Sequence, residues 1–272
     1  MHTLSVNLRL FFLGALLSYR ALFRWLRPIQ YLATKIWGPL MHITFFVLLG
    51  RFATGEDNTS FYVIGNAVQT TAYNGIYGVT MSITGDRWEG TLVYLFATPA
   101  NRMSMFFGRA VMHIVDGMSG VFIGLVWGVL LFGLDLSRAS PAALILTILI
   151  TTFSTAGLGL LLGCLSLLTR NVMFVNNTVF FLLLVFSGAN VPLEKLPEWA
   201  LYLARLLPLT RGIEATRLIV DGASLQDVAP LLWGVGAVWG ELWVGLFYGL
   251  IGYVFFRWFE RQARRRGTLE AF

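Results

Sequence analysis

Residues 142–168 read AALILTILITTFSTAGLGLLLGCLSLL, without a single charged side chain. A helix needs about 20 apolar residues to cross the hydrocarbon core of a bilayer, and this run is longer than that. Outward from it, comparable runs fall at about 29–50, 61–83, 106–133, 172–189 and 229–256. Over the whole chain of 272 residues, 57% are apolar and 12% charged. A soluble domain has about 45–50% and about 25%, so a water-facing surface cannot be built from this composition. The reading is an all-α integral membrane protein with six transmembrane helices, and an even number of spans puts both termini on one side.

Charge then sets the orientation. The formal net charge of +6 comes almost wholly from arginine. In a soluble protein such a balance would raise nucleic acid as a partner, but in a membrane protein basic residues collect in cytoplasmic loops. Fourteen of the 20 Lys and Arg fall in the N-terminal segment, the 84–109 region, the turn at Arg170 and the C-terminal tail. The other six are Arg51, Arg138, Lys195, Arg205, Arg211 and Arg217, on the opposite side. Both termini are therefore expected in the cytoplasm, with lipid as the surrounding partner and no nucleic acid.

Residues 5–27 suit an interfacial helix, because Leu8, Phe12, Ala15, Leu16, Tyr19, Phe23 and Leu26 recur at helical spacing. Pro28 ends it. Leu10–Tyr19 is apolar enough for the core of a secretory signal, but no basic cluster precedes it and no small-x-small cleavage site follows. The segment is expected to be retained, giving residues 1–28 as an interfacial element and 29–272 as the six-span domain. Cys164 is the only cysteine, so no intrachain disulfide or zinc cluster can form.

The chain has no G-x-x-x-x-G-K-[ST] phosphate loop, H-E-x-x-H, C-x-x-C or G-x-S-x-G. It is expected not to hydrolyse ATP alone and to hold no cofactor or metal of its own. The costly residues are the ionisable ones at membrane depth. Arg109, His113 and Asp116 share one face of the third span and predict an intrahelical ladder, or else a substrate-facing or proton-carrying cluster. Glu241, near the middle of the predicted last span, has no basic residue within one turn. Asn66, Gln69 and Asn74 in the second span, with Asn176 and Asn177 in the fifth, could equally hydrogen-bond between helices or line a path.

Two stretches resemble the type-2 ABC transporter permease family, and with the span layout the likeness covers nearly the whole chain. Residues 85–99, GDRWEGTLVYLFATP, are similar to the cytoplasmic coupling segment of that family. Arg87, Gly90, Thr91, Leu92, Leu95, Thr98 and Pro99 match, while Trp88 and Val93 stand where acids are common. Independently of the likeness, Trp88, Leu92, Leu95 and Phe96 make an apolar stripe at helical spacing ended by Pro99, beside the polar Glu89. Residues 187–199, SGANVPLEKLPEW, followed by Pro208, Thr210 and Arg217, resemble the family's outer re-entrant segment, placed here at about 190–217. The resemblance implies a dimer, more readily of identical copies, with each permease joined to a separate ABC ATPase subunit that binds ATP and magnesium. The coupling segment would touch that ATPase, and spans two and five would border the path. Substrates in the family include drugs, lipids and lipid-linked glycans, with the PLEKLPEW segment slightly closer to the drug-exporter branch. Two other readings stay open. One is a membrane-embedded enzyme on a lipid-linked substrate, with His113 and Asp116 as acid and base. The other is a proton-coupled transporter using Glu241 and Asp116.

Overall fold

The computed structural model describes residues 9–17, 20, 27–54, 58–91, 94, 102–166, 171–235 and 239–266. Among them there is no strand. In chain order the helices are α1 (Pro28–Thr54), α2 (Thr59–Tyr73), a π-helical turn (Asn74–Gly78), α3 (Val79–Trp88), α4 (Arg102–Phe132), α5 (Pro141–Ser166) and α6 (Val172–Phe186). A 3₁₀ turn (Leu193–Lys195), α7 (Glu198–Leu206), α8 (Thr210–Val220), α9 (Leu225–Trp233) and α10 (Glu241–Arg266) follow.

Among the described residues, four stretches are long and apolar enough to cross a membrane: Pro28–Thr54, Ser104–Phe132, Pro141–Ser166 and Glu241–Arg261. The predicted second span is an unbroken helical path from Thr59 to Trp88, divided by the π turn. Helix α6, with 15 residues, rises only about 22 Å at 1.5 Å per residue. The predicted last span, 229–256, is not one helix. It breaks between Trp233 and Glu241 because the chain folds back on itself there: Gly240 N–H donates to the Gly234 carbonyl at 3.0 Å. A Cβ on Gly240 would stand 2.7 Å from the Trp233 nitrogen, so the turn needs glycine. Glu241 therefore opens the last helix instead of lying at its middle.

Helix α5 is the hub. Of its most apolar window, 72% is buried, against 22–33% for the other three spanning helices. It reaches this burial by carrying small residues on two faces. Gly159 meets the π turn so closely that a Cβ would lie 1.9 Å from the Gly75 carbonyl oxygen. On the opposite side, a Cβ on Gly157 would lie 2.4 Å from the Gly245 oxygen of α10. Small-residue contacts of this kind let helices approach in lipid, where there is no water to expel from between apolar faces. The hydroxyls of Thr151 and Thr152 turn back to the carbonyls of Thr147 and Ile148 at 2.7 and 2.6 Å, so these two need no partner outside α5.

The π turn sits where α2 presses on α5. The carbonyls ahead of it keep a backbone donor, the Asn74 N–H, and side chains add to it. Asn74 donates to the Thr70 carbonyl at 3.2 Å, and Thr155 of α5 donates to that of Thr71 at 3.4 Å.

Residues 9–17 are helical and lie against the start of α4: a Cβ on Gly108 would stand 2.2 Å from the Phe11 carbonyl oxygen. Phe12, Leu13, Leu16 and Leu17 remain exposed. Most of the remainder of the predicted 5–27 helix lies outside the described residues.

Gly159→Ala should cost about 1–3 kcal/mol, because backbone on the facing segment cannot move aside as a flexible side chain could. Gly249→Ala, with open space around it, should be neutral or slightly stabilising. Thermal unfolding in detergent measures both; equal melting temperatures for the two variants would contradict the close approach.

Candidate functional site

The predicted coupling segment begins at the foot of the second helical path. Helix α3 ends at Trp88 because Gly90 adopts φ 67°, the left-handed conformation that closes helices with glycine. Glu89 and Gly90 N–H donate back to the Gly85 and Arg87 carbonyls. Trp88 consequently belongs to the last turn of α3, and the rest of the stripe expected over 85–99 is not described. Leu92, Leu95, Phe96 and Pro99 lie outside the described residues. Trp88 is 60% exposed, with Glu89, Gly90 and Thr91 exposed beside it.

Behind this tip the helix end is fastened to two neighbours. Asp86 pairs with Arg109 of α4 at 2.5 Å, and the same guanidinium donates to the Ser82 carbonyl. Arg87 donates to the Ser166 carbonyl at the end of α5 at 2.9 Å, and the hydroxyls of Thr84 and Ser166 meet at 2.7 Å. The tip is thus a projection held by α4 and α5.

The ionisable residues of α4 do not form a ladder. Arg109 turns to Asp86. Asp116, two turns on, turns to α1, where Lys35 lies at 2.7 Å and the Tyr31 hydroxyl also bonds it. Lys35 donates further to the Asp116 carbonyl at 2.9 Å and toward Asn74 at 3.5 Å. His113 lies between the two, against Gly78. Helical spacing placed the three residues on one face, but that face meets different helices at successive turns. Lys35, Tyr31 and Asp86 were missed as partners. Lys35 had been counted only as a basic residue near the N-terminus, although an isolated lysine one turn inside an apolar run is itself a signal of a buried acid.

Most predicted path amides are spent inside the fold. Asn66 donates to the Tyr62 carbonyl and to Asn190, at 2.9 and 2.8 Å. Gln69 accepts from Ser187 at 3.2 Å, tying α2 to the segment that follows α6. Asn176 is fully buried, with neither side-chain polar atom partnered among the described residues. Asn177 points the other way, accepting from the Tyr77 hydroxyl at 2.6 Å. It shares the surface of α6 with exposed Phe174 and Phe181, beside exposed Tyr73 of α2, and Tyr73, Tyr77 and Phe180 stack together there.

Glu241 is fully buried and accepts the Leu209 N–H at 2.6 Å. A carboxylate at the start of α8 complements the positive end of that helix, with Arg211 supplying a nearby positive charge. Leu209 carries φ 90°, costly for a leucine, and Glu241 holds it there. The sequence had found no basic residue within one turn because the partners come from a segment about 30 residues upstream.

This arrangement is that of an all-helical, multi-pass membrane protein. The model of the ABC-2 type transporter family matches residues 12–220, well over half of the chain. The chain belongs to that family. It is 27% identical over 175 residues to the probable multidrug ABC transporter permease YbhR of Escherichia coli, covering 63% of this chain and 47% of that one. It is 26% identical over 220 residues to the daunorubicin resistance ABC transporter permease protein DrrB1 of Streptomyces coeruleorubidus, covering 77% and 76%. It is 24% identical over 177 residues to ABC transporter G family member 20 of Dictyostelium discoideum, covering 65% and 22%. The chain thus spans under half of the Escherichia coli relative and less than a quarter of the Dictyostelium one.

Removing either Lys35 or Asp116 should leave a buried charge without its partner, a change that costs about 3–5 kcal/mol. Asp116→Asn and Lys35→Met should each lower the melting temperature in detergent, and the double variant should lower it by less than their sum. A coupling of about 1–3 kcal/mol is expected for a contacting pair; strictly additive effects would show that the pair contributes nothing.

Proposed function

We propose that this chain is the permease subunit of an ATP-driven exporter, moving amphipathic drug-like or lipid-like molecules out of the cytoplasm or inner leaflet. Its energy would come from a separate ABC ATPase subunit that binds ATP and magnesium. The observation that carries the reading is family membership combined with the exposed, double-anchored tip at Arg87–Thr91. A tip fastened to α4 and α5 can pass a push from a partner directly into the hub helix. With Thr59–Trp88 and Val172–Phe186 as the second and fifth crossings, the chain has six spans and both termini in the cytoplasm of a bacterial plasma membrane. The stretch 190–217 then lies on the outer side, and a second copy of the chain completes the transporter.

The path is best drawn along the exposed aromatic surface of α2 and α6. Tyr73, Tyr77, Asn177 and Phe181 offer wide apolar contact with one polar group, a surface suited to amphipathic substrates. Asn66, Gln69 and Glu241 hold the fold together and are not drawn as path residues. The names of two relatives, multidrug and daunorubicin resistance, favour a drug-like substrate over a lipid-linked glycan. An enzyme using His113 and Asp116 fits less well, since Asp116 is already committed to Lys35 and Tyr31.

Coupling is testable in complexes reconstituted with the ATPase subunit. If Trp88 seats in a groove on that partner, Trp88→Ala should cost about 2 kcal/mol or more of binding, as buried interface aromatics do. Substrate-stimulated ATP hydrolysis should fall with it, while membrane expression and melting temperature stay at the wild-type level. Unchanged binding and stimulation would remove this helix end from the coupling contact.

A further inference from the structure

At the end of the bundle opposite Trp88, a cavity of about 460 Å³ opens between the start of α2, the segment after α6, and α8. Two acids, Glu194 and Glu214, and two bases, Lys195 and Arg217, line it together with Phe61.

Arg217 forms a fixed wall. Its Nη2 donates to the carbonyls of Phe61, Gly188 and Ala189 at 3.1, 2.9 and 3.3 Å. Its guanidinium lies 3.6 Å from the centre of the Phe61 ring, a cation–π contact. Its buried Nε has no hydrogen-bond partner among the described residues. Burial pulls Arg217 down to about 10, against the opposing pull of Glu194 and Glu214. Glu214 is pushed up, first by burial and then by the Glu194 charge.

None of the four charged groups forms an ion pair among the described residues. The cavity is therefore neutral overall yet holds its positive and negative groups apart. That pattern complements a ligand carrying both signs. A cation near the two carboxylates relieves their mutual repulsion, and an anion meets the positive charge of Lys195 and Arg217 on the lining. Depth points to the source of the ligand. The 3₁₀ turn carrying Glu194 and Lys195 leads directly into α7, where Trp199 and Tyr202 are 65% and 70% exposed. Exposed Trp and Tyr mark the headgroup level of a bilayer.

We propose that this cavity binds the zwitterionic headgroup of a membrane phospholipid, its ammonium between Glu194 and Glu214 and its phosphate toward Lys195 and Arg217. The site is a property of the chain itself and stands whether or not the protein exports drugs, so its test needs neither ATPase nor transport.

The full chain is placed in nanodiscs of equal phosphatidylethanolamine and phosphatidylglycerol, and the retained lipid is counted by native mass spectrometry. Charge-assisted hydrogen bonds of this kind predict a preference for phosphatidylethanolamine of about tenfold. The double variant Glu194→Gln/Glu214→Gln should abolish the preference while melting as wild type in phosphatidylglycerol alone. Glu194→Lys/Glu214→Lys should invert it, and the exposed Lys195→Gln should weaken it. Equal retention of both lipids by the wild type would overturn the proposal, as would an unaltered preference in any folded double variant. Glycerophosphoethanolamine, the headgroup without acyl chains, is the competitor. Failure to displace the lipid supports a lipid site, and displacement at millimolar concentration would assign the cavity to a soluble zwitterion and overturn the lipid assignment.

Discussion

Hydrocarbon supplies no hydrogen bonds, so a polar group that this chain carries into the bilayer is costly unless it finds a partner within the protein. The rest of the architecture follows from how that requirement is met. Helix α5 meets it largely from within, returning the Thr151 and Thr152 hydroxyls to its own carbonyls and lending Thr155 to the Thr71 carbonyl of α2. The charged groups meet it in pairs between helices: Lys35 of α1 with Asp116 of α4, and Asp86 of α3 with Arg109 of α4. Each pair fixes the rotation of one helix against another more strictly than apolar side chains do. A leucine in contact with leucine tolerates sliding; a carboxylate serving a lysine and a tyrosine does not.

Departures from straight helix occur where such partners have to be brought together. The π turn lets α2 pass Gly159 of α5 at backbone contact, with the Asn74 and Thr155 side chains donating to the carbonyls just before it. The fold-back around Gly240 puts Glu241 under the start of α8, where its carboxylate holds Leu209 in a conformation that leucine otherwise avoids. At the other end of the bundle, Gly90 stops α3 at Trp88 and leaves that side chain exposed at the tip. Anchored by Arg109 on α4 and Ser166 on α5, this tip joins the exposed end of the molecule to its most buried helix.

The long spans were legible because uncharged runs of more than 20 residues have few other uses. The breaks were less so. Apolar content continues through Trp233–Glu241, and the fold-back there depends on a glycine whose contact lies six residues upstream in the chain. Similarly, the spacing of Arg109, His113 and Asp116 showed correctly that they share a face. Which helices that face meets is a tertiary fact, and Lys35 lies 81 residues from Asp116. The amides were weighed evenly between packing and path. The structure divides them: Asn66 and Gln69 are tied to the segment after α6, whereas Asn177 sits at an exposed aromatic surface.

The whole account depends on two ends facing opposite sides of the membrane: the Trp88 tip inside, with the termini, and the Glu194–Arg217 cavity outside. Single cysteines at Asn58, exposed beside that cavity, and at Trp88 test this directly in a Cys164→Ala background. In intact cells an impermeant maleimide should label Asn58→Cys and leave Trp88→Cys unmodified until the membrane is permeabilised. Labelling of both positions from outside, or of Trp88→Cys alone, would contradict the topology and the coupling role built on it.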